Sequence, residues 1–196
     1  MISAQDVYKL REETQAPVME CKKALEESQG DFEKAKLILK KKGEIRGAKK
    51  QASTEEIANG IIDAYIHAGG QIGAMVELRC QTDFVAKNRS FQELAHDLAM
   101  HIAALNPLYL SRASIPSEEI ERKKEAYLKE LEGSNKPPEM LDKIIEGKLE
   151  KEIAEICLEN QMFIKDDTRT IGDLIKEAAA KFGEKIEISK FVRFEI

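Results

Sequence analysis

An α+β fold is predicted for this chain of 196 residues, with a three-helix module first and then a three-stranded antiparallel sheet packed with helices. Three observations carry that prediction. Short apolar stripes at helical spacing, each with its own start and stop signals, fill residues 1–43; two alternating runs flank Gly69 and Gly70; and a third alternating run closes the chain. Charge separates the two parts. Residues 1–50 hold 12 basic and 9 acidic side chains, a net of +3, which leaves −8 for the rest of a chain whose total is −5. The expected division is a helical module at 1–43, a basic linker at 44–56 and an α+β core at 57–196.

Within the module, Ser3 followed by Asp6 makes a capping box for a helix bearing Val7 and Leu10, which runs out near Thr14. Pro17 suits the first turn of a second helix carrying Val18, Cys21, Ala24 and Leu25, stopped by Gly30. Asp31 can cap a third, with Phe32, Ala35, Ile38 and Leu39 on its apolar face, and Gly43 is expected to end it. Six basic residues then crowd residues 40–50 (Lys40, Lys41, Lys42, Arg46, Lys49, Lys50) against Glu44 alone. A phosphate-binding arm would need flanking aromatics or a glycine-rich loop, so this stretch reads as a solvated linker.

The core opens with a strand at 61–67, turns through Gly69 and Gly70, and returns as a strand at 72–80 whose Ile72, Ala74, Val76, Leu78 and Cys80 share one face. Phe91, Leu94, Leu98, Ile102 and Leu105 stripe a helix at 91–105, with Ser90 as its cap and Asn106-Pro107 as its stop. Two charged helices follow. The one at 117–133 carries Ile120, Tyr127 and Leu131, and the one at 138–158 carries Leu141, Ile144, Ile145, Leu149, Ile153 and Ile156. Thr170 with Asp173 opens a last helix that Gly183 ends after Phe182. In the closing strand at 185–196, Lys190 falls on the side of Ile186, Ile188, Val192, Phe194 and Ile196, a defect that suits a bulge or a sheet rim.

Composition narrows the function classes. Charged residues make up 34% and interrupt the 42% of apolar ones so often that no run approaches the roughly 18 a membrane span needs. Nothing in the first ten residues resembles a secretory signal, so a soluble, cytoplasmic protein is expected. An acidic total, no Trp and 6% aromatics argue against direct nucleic-acid binding. Cys21, Cys80 and Cys157 form no C-x-x-C pair and read as core residues, with neither a disulfide framework nor a metal site. His96 and His101 stand five apart on a helix, about 140° around its axis, which spoils them as a ligand pair. With His67 on a strand and no phosphate-loop motif, no catalytic constellation, cofactor or metal is expected and the chain does not read as an enzyme.

The informative segment is Cys80-Gln81-Thr82-Asp83-Phe84-Val85-Ala86-Lys87-Asn88. Two arrangements fit it. Asp83 and Phe84 can project together from a rigid strand end as a binding wedge, or Thr82 or Asp83 can cap a short helix with Phe84 tucked into the core.

The part of that segment from Cys80 to Lys87 resembles the signature of the bacterial elongation factor Ts family. Leu10 to Thr14, Met19-Glu20-Cys21-Lys22-Lys23-Ala24-Leu25 and Gly30-Asp31 resemble the family's ubiquitin-associated-like first domain, Met100-His101-Ile102-Ala103-Ala104 another segment, and Phe191-Val192-Arg193-Phe194-Glu195 the ending. Together these cover essentially the whole chain. The resemblance implies a guanine-nucleotide exchange factor that engages elongation factor Tu in its GDP-bound and nucleotide-free forms. It further implies that Asp83-Phe84 wedges beside the partner's switch region and disturbs its Mg²⁺ and phosphate site. Thr82, Asp83, Phe84, Val85, His101, Val18 and Met19 are then the expected partner-binding residues. Two departures stand out: Gln15-Ala16-Pro17 replaces the family's Gly-Ala-Gly turn, and one core half is present where longer members carry two, so a homodimer is expected to supply the second. An adaptor that uses the helical module to recruit another protein is the alternative.

Overall fold

The computed structural model describes residues 2–14, 16–52, 57–131 and 137–196. It is α+β, with a three-stranded antiparallel sheet and a second sheet of two short strands. The chain divides into two compact units, one of Met1–Asp63, Glu77–Ala95 and Asp173–Ser189, the other of Ala64–Val76, His96–Gly172 and Lys190–Ile196.

The first unit begins with α1 (Ala4–Thr14), α2 (Val18–Glu27) and α3 (Phe32–Gln51). Ser3 and Asp6 form the reciprocal capping box, Asp6 N donating to Ser3 Oγ at 3.1 Å and Ser3 N to Asp6 Oδ2 at 3.0 Å. Asp31 accepts from Lys34 N at 3.1 Å to start α3. Val7, Leu10, Cys21, Ala24, Leu25, Ala35 and Leu39 make one closed core with Ile2, Ala16, Phe32 and Ile38 around it. The expected stop at Gly43 is corrected: α3 runs on to Gln51, so residues 44–51 are helical. The reason is steric. A Cβ on Gly43 would lie 3.2 Å from Ala180 O, and one on Gly47 would lie 2.7 Å from Ala180 N, so these glycines let α3 press directly on α8 (Ile171–Phe182). At the end of α3 the Gln51 side chain accepts from Ile186 N at 3.1 Å and donates to Ile186 O. Residues 53–56 lie outside the described residues.

β1 (Asn59–Ile66) and β2 (Ile72–Cys80) form the expected hairpin, closed by His67 N donating to Ile72 O at 2.8 Å, and β5 (Ile186–Glu195) is the third strand, in the order β1-β2-β5. Ala74, Val76, Leu78 and Cys80 are buried as their alternation requires. In β5 burial changes phase near Lys190: Ile186 and Ile188 are buried, but beyond them Phe191 and Arg193 are half-buried while Val192 and Phe194 are exposed. This matches the place where the alternation itself is broken. Arg193 Nε donates to Ala103 O at 2.9 Å, tying that half of the strand to α5 (Arg89–Leu105).

α5 starts two residues earlier than expected, because Asn88 rather than Ser90 is its cap; Asn88 Oδ1 accepts from Ser90 N at 2.9 Å. In the second unit α6 (Ser117–Glu130) and α7 (Pro138–Ile156) pair as a hairpin, and the expected end of α6 at Gly133 lies outside the described residues. Ile115, Leu149, Ile153 and Cys157 form its apolar base, with Tyr109, Ile120 and Ile156 packed against them. No residue of α6 is buried, and side-chain contacts link the helices: Lys123 and Tyr127 on Glu152, and Lys148 on Glu130 at 2.6 Å. β3 (Met162–Phe163) and β4 (Asp166–Thr170), which the sequence reading did not anticipate, make a small antiparallel hairpin before α8. Among the described residues no helix is long and apolar enough to cross a membrane.

Candidate functional site

β2 delivers the chain at Cys80 to a tight, heavily bonded turn. Thr82 is extended (φ −120°, ψ 153°), and its Oγ1 accepts from Val85 N at 3.4 Å, capping the single helical turn α4 (Asp83–Ala86). One turn of helix has an inner and an outer side. Val85 and Ala86 take the inner one and are buried, whereas Asp83 and Phe84 take the outer one, leaving Phe84 78% exposed. Both halves of the question posed by the sequence are thereby answered: Thr82 is a cap, and Phe84 is not in the core. Phe91, seven residues later, is the core ring, fully buried and edge-on to Phe182 with centroids 6.0 Å apart.

The turn is anchored from both sides. Gln81 O accepts from Asn59 Nδ2 at 2.8 Å, and its Oε1 accepts from Lys185 N at 3.2 Å. Glu184 accepts three bonds from the turn: from Gln81 N at 3.1 Å and Thr82 N at 3.0 Å through Oε2, and from Thr82 Oγ1 at 2.6 Å through Oε1. Cys80 Sγ donates to Thr82 O at 3.2 Å; burial first, then the Glu184 charge, pushes that thiol up to about 11. Asp83 faces solvent, where its bond with Lys87 Nζ at 2.7 Å holds its carboxyl below the usual range. Glu184 escaped the sequence reading because its partners lie 102 and 103 positions away, and a Gly-Glu pair after a helix carries no local mark of a clamp.

On the helical module, Val18 and Met19 open α2 with 43% and 62% of their surfaces exposed, while Thr14 Oγ1 donates to Leu10 O at 2.7 Å within the last turn of α1. His101 is different from all of these. It is fully buried: Nε2 donates to Gln161 Oε1 at 3.0 Å, Nδ1 accepts from Ile164 N at 3.3 Å, and Gln161 Nε2 donates on to Glu155 O at 2.5 Å. Acceptance at Nδ1 assigns the neutral Nε2–H tautomer, and burial holds the imidazole below its ordinary value. Of the seven residues expected at a partner surface, Thr82, Asp83, Phe84, Val18 and Met19 are surface, while Val85 and His101 are interior.

A family profile described as "Elongation factor TS" matches residues 4–196. Elongation factor Ts of Thermodesulfovibrio yellowstonii is 54% identical over 195 residues, spanning all of this chain and 96% of that protein. Those of Thermosipho melanesiensis and Thermotoga maritima are 49% and 48% identical, again across the whole chain and over 99% and 96% of their own lengths. The chain therefore belongs to the elongation factor Ts family of translation elongation factors.

Proposed function

We propose that this chain is a cytoplasmic guanine-nucleotide exchange factor that binds GDP-loaded elongation factor Tu and hastens release of the nucleotide. The observation that carries the reading is Phe84, a large apolar ring held 78% exposed on a turn whose preceding backbone amides donate to the Glu184 carboxylate. An exposed ring gains roughly 1.5–3 kcal/mol when a partner buries it. If that burial is available only when the partner's switch region has moved, the same free energy weakens nucleotide binding, because the coupling between two ligands is reciprocal. Asp83 enters beside the ring as a carboxylate, a charge suited to disturbing an Mg²⁺ and phosphate site. Val18 and Met19 provide a second contact that binds without displacing anything. Val85 and His101 act from the interior, Val85 by anchoring α4 and His101 by holding the β3 end. No bond is made or broken in such a process.

A second copy of this chain is the proposed further partner. Ile66, Met75, Val192, Phe194 and Ile196 are all exposed on the sheet, and His67–Ile72 and Gln71–Ile196 pairing brings Ile66, Met75, Val192 and Phe194 to one face by the period of two. Such a face packs naturally against its own copy at about 10 Å. Light scattering decides it: about twice 22.1 kDa is expected, and 22.1 kDa would defeat the dimer. For exchange, labelled GDP is loaded on elongation factor Tu and its release followed as this chain is added. Acceleration is expected; binding without acceleration would mark an adaptor instead.

A further inference from the structure

The three bonds that Glu184 accepts all come from the stretch carrying the exposed ring. Thr82 Oγ1 has one proton, given to Glu184 Oε1, and keeps its lone pairs for Val85 N, so a chain of bonds runs from the α4 backbone through the hydroxyl to the carboxylate. The other oxygen takes the two amides before α4. A carboxylate is an acceptor only and can satisfy all three donors at once, with bonds stronger than neutral ones. Four helical residues cannot hold themselves in a helix, so the orientation of α4, and of the ring upon it, depends on these outside bonds. Glu184 is itself well placed to give them. Gly183, at φ +69°, ends α8 and turns the chain sharply, and a side chain there would meet Arg46 Nε at 3.1 Å, while Arg46 is held by Glu20 at 2.5 Å.

We infer that Glu184 is a positioning residue for exchange, whose carboxylate orients the Thr82-Asp83-Phe84 turn so that the ring meets its partner already ordered. This rests on the exchange activity proposed above. A preordered ring loses less freedom on insertion, and a displacement of about an ångström at such a site is felt in rate more than in affinity. A structural role alone would instead lower the stability of the whole first unit.

The full chain, Glu184→Ala, Glu184→Gln and Phe84→Ala are compared for release of labelled GDP from elongation factor Tu over a range of chain concentrations. Glu184→Ala is expected to lower the maximal rate about tenfold with the half-saturating concentration little changed, because Val18 and Met19 still bind. Amide hydrogen exchange should show loss of protection at Gln81 and Thr82 with α5 protection kept. Glu184→Gln should restore the rate to within about twofold, since its carbonyl oxygen can accept both amides and its amide nitrogen can donate to Thr82 Oγ1. A Glu184→Ala chain with an unaltered maximal rate overturns the inference, as does a rate loss that follows a general loss of protection and is not rescued by Gln. If Glu184→Ala does not fold, Thr82→Val removes the hydroxyl arm together with the cap on Val85 N and leaves the two amide arms on Glu184; an unchanged maximal rate in that variant also overturns the inference. If the unaltered chain fails to accelerate release, the exchange reading has failed; if it succeeds and only Glu184→Ala matches it, the role of Glu184 alone has failed.

Discussion

The turn at residues 81–88 and the pocket around His101 use hydrogen bonds for opposite ends. At the turn, polar bonds from Glu184, Asn59 and Lys185 hold an apolar ring out in water, where it contributes nothing to this chain's own stability. In the pocket, an apolar shell that includes Phe163, with its ring centroid 6.2 Å away, holds a polar ring out of water, and every bond of that ring stabilises the fold. The difference separates function from stability. A residue that can be removed without harm to the fold is available for a partner, and one that cannot is committed to the chain.

Breaking the pocket should have the largest effect on stability. His101→Ala leaves Gln161 Oε1 and Ile164 N without their buried partner and opens a cavity, which is expected to cost about 2–4 kcal/mol in urea unfolding. Exchange measured where the variant is still folded should survive. Next in size, Gly47→Leu forces side-chain atoms into the Ala180 backbone, 2.7 Å from where a Cβ would stand. Overpacking of this kind costs about 1–3 kcal/mol, and because α8 leads to Glu184 this variant should lower both melting temperature and exchange.

Two pH responses sharpen the contrast further. His101 is kept neutral in the fold, below its ordinary value of 6.5, so the unfolded chain binds more protons in that range. Its contribution is present above pH 6.5 and is lost as pH falls from there through the folded value; His101→Gln should flatten that part of the stability profile. Cys80 beside the turn responds at the other end. Its thiol is raised from 9.0 to about 11, so its contribution is complete below pH 9 and is lost as pH rises through 11, a loss that Cys80→Ala should remove from an alkaline melting series. The smallest effect is expected from Lys87→Ala. The Lys87–Asp83 pair is largely exposed, so thermal melting should be unchanged within error.

Local chemistry was legible in advance. The Ser3–Asp6 box, the Asp31 cap, the alternation of residues 72–80 and the stop at Gly183 each depend on residues a few positions apart. Gly43 misled because a glycine that ends a helix and one that admits a neighbouring helix look alike in sequence; only Ala180, far along the chain, tells them apart. Phe84 and Phe91 are both rings after an apolar strand, and which of them faces water is decided by a cap and a clamp, the latter made by a residue about a hundred positions away. The same motif resemblance pointed to Phe84 and to His101, yet burial is a property of the whole fold, and it divides them. The β3–β4 hairpin left no trace because its five-residue second strand, Asp166–Thr170, is polar throughout.

On the proposed function, the Phe84 ring is buried in the partner's interior and not in this chain's own. The most direct measurement is the maximal rate of labelled-GDP release from elongation factor Tu driven by Phe84→Ala, taken beside the thermal melting of the same preparation. The rate is expected to be lower by at least about tenfold, as burial of one ring implies, with a melting temperature indistinguishable from that of the unaltered chain. An unaltered rate, or a melting temperature lowered by as much as a core Phe→Ala cavity of about 3–5 kcal/mol demands, would contradict it.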